Sequence, residues 1–145
     1  MTFDRVRANT SARVNRRIDL DMEERVWEYA QASRDLITER IRELEREWDI
    51  ERVLQMNASI ASLAGIALGI KHDKRWFVLP GVVLPFLLLH VFQGWAPPLP
   101  VLRRLGVRTR QEIETERHAL KMLRGDYATP DGLTSVEAAL KAVRK

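Results

Sequence analysis

The natural candidates for a proton-transfer group near neutral pH are the three histidines, His72, His90 and His118. They are too scattered for any two to share one turn of a helix, as paired metal ligands do. There is no cysteine, so disulfides, thiolate catalysis and cysteine-based metal sites are excluded. No Ser–His–Asp set, paired-carboxylate cleft or phosphate-cradling glycine loop is visible. The acidic residues recur along amphipathic stretches, where solvated faces explain them. No catalytic residue, metal or cofactor is therefore expected. His72 and His118 are expected in water. His90 differs, because it lies in an uncharged run with Gln93, and Asn57 lies in a second such run. Polar side chains in lipid need partners, and these three could supply one another as interhelical glue, worth about 0.6 kcal/mol per bond. The rival reading is a constriction in an oligomeric conduit for a small solute or anion.

These polar residues are carried by two apolar stretches. Trp76 to Trp95 contains no charged residue. The two indoles stand nineteen residues apart, about 28 Å of helix. That matches a hydrocarbon core of about 30 Å with a tryptophan at each interface. Pro80 and Pro85 lie inside, and Pro85 predicts a kink near Gly81. The weaker stretch, Val53 to Ile70, is also uncharged. Ala61, Gly65 and Gly69 recur every four residues along it and form a small-residue face on which a second helix can pack closely. Self-association through this face, with a homodimer favoured, is one expectation. Between the stretches, residues 71–75 form a short polar loop, so the two spans run antiparallel.

The flanks are polar. Residues 1–20 read as a basic, weakly ordered arm. Asp21 with Glu24 has the spacing of a capping box, which starts a helix near residue 22. Ser33 is the expected cap of a second helix, in which Ile37, Ile41, Leu44 and Trp48 form one stripe. The stripe either packs on a partner helix or lies on the membrane surface, and its opposite face, more acidic than that of a lipid-surface helix, favours helix–helix packing. Asp49 caps the first span. After Trp95 the prolines of APPLP end the second span. VLRRLG reads as an interfacial turn, with Arg103 and Arg104 at headgroup level. Trp48, Trp76 and Trp95 are the expected interfacial aromatics. Thr109 with Glu112 opens another helix, with Ile113, Leu120 and Leu123 on one face and Gly125 as its stop. Thr134 with Glu137 starts a last short helix.

The net charge is +4, but it is patterned: basic over 1–20, acidic over 21–52 and basic again over 96–124. Basic clusters beside an apolar span mark the cytosolic membrane surface, and no nucleic-acid reading motif accompanies them. The flanks hold more arginine than the loop, which predicts both termini in the cytosol and the loop outside. The fold class expected is all-α: a cytosolic helical region at 21–52, a transmembrane hairpin at 53–95 (spans 53–70 and 76–95), an interfacial turn and helix at 96–125, and a linker with a short helix at 126–145. Its partners would be the lipid bilayer, a second copy and a cytosolic protein, but not nucleic acid. A soluble oligomer that buries the hairpin is the remaining alternative.

The run GWAPPLPVLRRLGVRTRQEIETERHALKMLRGDY resembles the end of bacterial proteins with a YgaP-like transmembrane domain. The segments EWDIERVLQMNAS and VNRRID extend the resemblance over most of residues 1–127. It implies a bacterial inner-membrane, multi-pass helical hairpin that homodimerises. In that family the residue after Gly-Trp is commonly cysteine, where this chain has Ala96. One namesake member carries a rhodanese domain, and this chain has neither that domain nor a cysteine.

Overall fold

Helix starts are set by short side chains that accept a hydrogen bond from the first turn. Asp4 accepts from the Arg7 amide, Ser33 from Leu36 and Asp49 from Arg52. The computed structural model describes residues 4–94, 96–126 and 140 of the chain. The described residues are helical, with no strand among them: α1 (Arg5–Ala8), α2 (Ala12–Ala30), α3 (Arg34–Arg46), α4 (Ile50–Lys71), a 3-10 turn (Lys74–Phe77), α5 (Val78–Gln93), α6 (Leu99–Arg104) and α7 (Arg110–Arg124). Two long apolar helices, α4 and α5, form the hairpin. The expected last helix and its linker lie outside the described residues, apart from Leu140.

The chain divides into two compact units, one of residues 1–11 and 48–109, the other of residues 12–47 and 110–145. This division corrects the reading of residues 1–20 as a weakly ordered arm. Residues 5–8 form α1, and residues 12–20 open α2. Asp21 therefore sits inside a helix instead of capping one. The reason is a longer apolar stripe: Ile18, Met22 and Val26, spaced by four, are all buried. Burial along a continuous stripe outweighs one capping signal, whose typical worth is about 1 kcal/mol.

In the unit of 12–47 and 110–145, α7 packs on α2 and on α3. Met22 and Val26 meet Ala119 and Leu140. Ile37, Ile41 and Leu44 meet Ile113 and Leu120. The stripe on α3 thus takes its helix partner from its own chain. Trp48 is not part of it, because α3 ends at Arg46. Glu116 is fully buried between two arginines. Arg25 donates to it from Nη2 at 3.1 Å, and Arg40 from Nη2 at 3.0 Å. At the far end of α7, Gly125 adopts a left-handed φ of 91°. The Asp126 amide then reaches back to the Lys121 carbonyl at 3.0 Å, a glycine-terminated helix end. The Arg124 guanidinium hydrogen-bonds the Asp126 carboxylate and holds its pKa below the usual carboxylate value.

In the unit of 1–11 and 48–109, α4 and α5 lie side by side, joined through the 3-10 turn. Asp73 caps that turn by accepting from the Arg75 amide at 2.8 Å. Pro80 falls in the first turn of α5, where an N–H has no intrahelical acceptor. Pro85 lies inside α5, which runs on from Val78 to Gln93. At the opposite, open end of the hairpin, Val6, Ile50, Leu54, Ala96 and Leu99 form a small core. The Ile50 amide donates to the Arg108 carbonyl at 2.9 Å, which ties the start of α4 to the segment after α6.

Candidate functional site

The hairpin shows an unusual surface. Met56, Ile60, Leu63, Ile66 and Ile70 of α4 are exposed, as are Val82, Leu84, Phe86, Leu88, Val91 and Phe92 of α5. In the most apolar eighteen-residue windows of the two long helical runs, only 28% and 11% of residues are buried. A core helix of a soluble protein would bury most of such a window. Both helices are long and apolar enough to cross a membrane. Helix α4 has 22 residues, about 33 Å, and its charges stand only at its ends.

The small-residue face of α4 is occupied from within the chain. A Cβ on Gly65 would lie 2.5 Å from Pro80 Cδ and 3.1 Å from the Trp76 carbonyl oxygen. A Cβ on Gly69 would lie 2.9 Å from the Phe77 ring. Ala61 continues this face and is half-buried. Gly65 and Gly69 therefore close the hairpin, while Ala61 lines open space between α4 and α5. The expectation that Gly65 and Gly69 form a contact between two copies is corrected: the second backbone that approaches them is α5 with its 3-10 turn.

At the open end, the last turn of α5 leaves carbonyls without intrahelical donors. The N-terminal segment supplies donors. Arg5 Nη1 reaches the Val91 and Phe92 carbonyls, each at 3.2 Å, and Asn9 Nδ2 reaches that of Gln93 at 2.9 Å. Gly94 ends α5 with φ 69° and returns its N–H to the His90 carbonyl at 2.7 Å. A Cβ at Gly94 would lie 2.4 Å from that of Arg5, so glycine is required for both its φ and the close approach. The sequence reading missed this contact. Its signal was one arginine among five in a basic stretch, with nothing local to mark the helix end it reaches.

Asn57 and His90 both line a cavity of about 340 Å³ between α4 and α5 at this end. Leu54, Ala58, Phe86 and Leu87 give it apolar walls, and Ala96 to Pro98 lie across the open end. Gln93 is exposed and does not line it. Among the described residues, the side chains of Asn57, His90 and Gln93 make no hydrogen bond with one another, which corrects the expected polar cluster. His90 is 8% exposed, and its Nδ1 is buried with no partner among the described residues. The other two histidines are exposed, as expected. His72 ends α4, and His118 Nδ1 lies 2.7 Å from the Glu114 carbonyl oxygen one turn earlier.

Among the interfacial residues, Trp48 and Trp76 are each 42% exposed, and Trp95 lies outside the described residues. Arg52 stacks on the Trp48 ring at 4.7 Å. Arg104 is exposed, but Arg103 is 1% exposed and donates to the Val107 carbonyl at 3.2 Å. Arg103 is therefore an internal tie of the turn and not a headgroup-level side chain. Its position in α6 explains the difference: four residues after the buried Leu99, it follows Leu99 onto the inner face. Among the described residues, no group of acidic or histidine side chains could hold a metal ion. Comparison with protein-family models, curated proteins and solved structures finds no match for this chain.

Proposed function

We propose that the protein is a non-enzymatic membrane anchor. Its α4–α5 hairpin crosses the bilayer twice, and its helical unit of 12–47 and 110–145 stands in the cytosol as a platform for a protein partner. The observation that carries this reading is the bare apolar surface along both hairpin helices. Apolar surface contributes about 25 cal/mol per Å² when it leaves water, and contiguous exposed patches of this extent mark a lipid or protein contact. The chain leaves the hairpin unit near Ser11, Trp48 and Thr109, all on the side of its open end, so one side of the membrane holds everything but the loop. Arginine enrichment in these flanks favours the cytosol for that side, with Lys71, Lys74 and Arg75 outside. The resemblance of GWAPPLPVLRRLG to the YgaP-like family supports the same arrangement and a bacterial inner membrane. Self-association, if it accompanies anchoring, uses the exposed faces of the hairpin, because Gly65 and Gly69 are taken. Alkaline carbonate extraction of membranes from expressing cells tests the reading. The protein is expected in the pellet; release into the supernatant with the peripheral proteins would overturn it.

A further inference from the structure

We propose that α2 carries a self-association surface outside the hairpin, on which a second copy of this chain packs its own α2 antiparallel. The proposal goes beyond the anchor reading and does not depend on it. Helix α2 is apolar on two opposite sides. Ile18, Met22 and Val26 are buried on one. Leu20 and Trp27, seven residues apart and so on one face, are 54% and 49% exposed on the other. Arg13 precedes Leu20 by the same interval, so Arg13, Leu20 and Trp27 form a heptad seam along this face. The seam is flanked by charge of two signs. Arg13, Arg16 and Arg17 are exposed in the first half of α2, and Asp21, Glu24 and Glu28 in the second. Arg17 makes only a loose contact with Asp21, at 3.9 Å between exposed groups. This pattern is complementary to itself when reversed. With Leu20 on Leu20 of a second copy, Arg16 and Glu24, each four residues from Leu20, come opposite each other. Arg13 and Trp27, each seven away, do the same and suit a cation–π contact. A two-fold axis makes every such pair twice. A parallel pair would set arginine against arginine, and a lipid surface would meet the acidic half. A second copy, reversed, is therefore the occupant that the charges select.

Cysteine cross-linking of the full chain in mild detergent tests this, since the sequence has no cysteine of its own. Leu20→Cys lies on the axis and should give a disulfide-linked dimer on mild oxidation. Arg13→Cys should not, because the two copies of that position stand about 21 Å apart along the pair, beyond the reach of a disulfide. Arg13→Cys combined with Trp27→Cys should cross-link again. In dilute Leu20→Cys protein, Arg16→Glu sets like charges opposite each other at both pairs and should lower the cross-linked fraction about tenfold. Adding Glu24→Arg restores opposite charges and should recover it. Every substituted side chain is exposed, so the fold of the unit is preserved. No cross-link in Leu20→Cys, equal cross-linking of Leu20→Cys and Arg13→Cys, a yield indifferent to Arg16→Glu, or no recovery on adding Glu24→Arg would each overturn the antiparallel contact. Carbonate extraction reports membrane integration separately, so failure of the anchor reading is distinguishable from all of these.

Discussion

Gly94 is the residue on which the open end of the hairpin turns. Its left-handed φ and the 2.4 Å approach of Arg5 Cβ leave no room for a side chain. Gly94→Ala is expected to cost about 2 kcal/mol, since a left-handed conformation alone costs 1–2 kcal/mol for a non-glycine residue. The Val91 to Gln93 carbonyls would then lose Arg5 and Asn9. Limited proteolysis should show the loss as faster cleavage within residues 1–11, and unchanged cleavage would refute the assignment. In the other unit the corresponding position is Glu116, a fully buried carboxylate between Arg25 and Arg40. The two arginines are 30% and 18% exposed at their side chains, so part of their charge stays solvated. Glu116→Ala removes the buried partner of Arg25 and leaves Arg40 with Glu43 alone, and should cost about 3 kcal/mol. Hydrogen exchange of α7 amides should accelerate accordingly, and a change below the scatter of surface variants would contradict the clamp. Neither residue was singled out from sequence. Glu116 looked like one more charge on an amphipathic helix, and only the three-helix arrangement brings two arginines from elsewhere onto it.

The elements were more legible than the contacts between them. Ser33 and Asp49 cap where their spacing predicts, and Gly125 stops α7, because caps and stops act within one turn of chain. The stripes Ile37–Ile41–Leu44 and Ile113–Leu120 were visible as periodicities, and they meet each other. Their meeting was not legible, since it joins segments some seventy residues apart. The start of α2 was misplaced for a related reason: Ile18, upstream of the capping signal at Asp21, counts as a stripe residue only once the fold buries it. In the hairpin, the spacing of Ala61, Gly65 and Gly69 announced close helix packing without saying which helix would come. The exposed face of α5 carries the element-scale prediction. Leu84 is 52% exposed near the middle of the helix. Leu84→Arg should cost about 3 kcal/mol for insertion, the penalty for arginine at the centre of a span. A glycosylation-based insertion assay of the Lys74–Gln93 segment should show the inserted fraction falling by more than tenfold. An unchanged fraction would mean that this segment does not cross the bilayer.

Taken whole, the chain segregates its chemistry by unit. The residues of one unit bury their apolar stripes against one another and keep their charges outside or paired. Those of the other leave apolar side chains bare along two helices and gather charge at the loop and at the open end. This contrast carries the proposal that the hairpin's surroundings are hydrocarbon and that its bare surface is the site. The absence of cysteine makes a direct test simple, because single cysteines can be introduced without background. Spin labels placed one at a time at Ile60, Leu63, Leu84 and Leu88 of the protein in phosphatidylcholine vesicles report collisions with oxygen and with a water-soluble nickel chelate. High oxygen and low nickel accessibility at all four positions is predicted, with the reverse at His72. Nickel accessibility at the four positions equal to that at His72, or shielding from both reagents, would contradict the account.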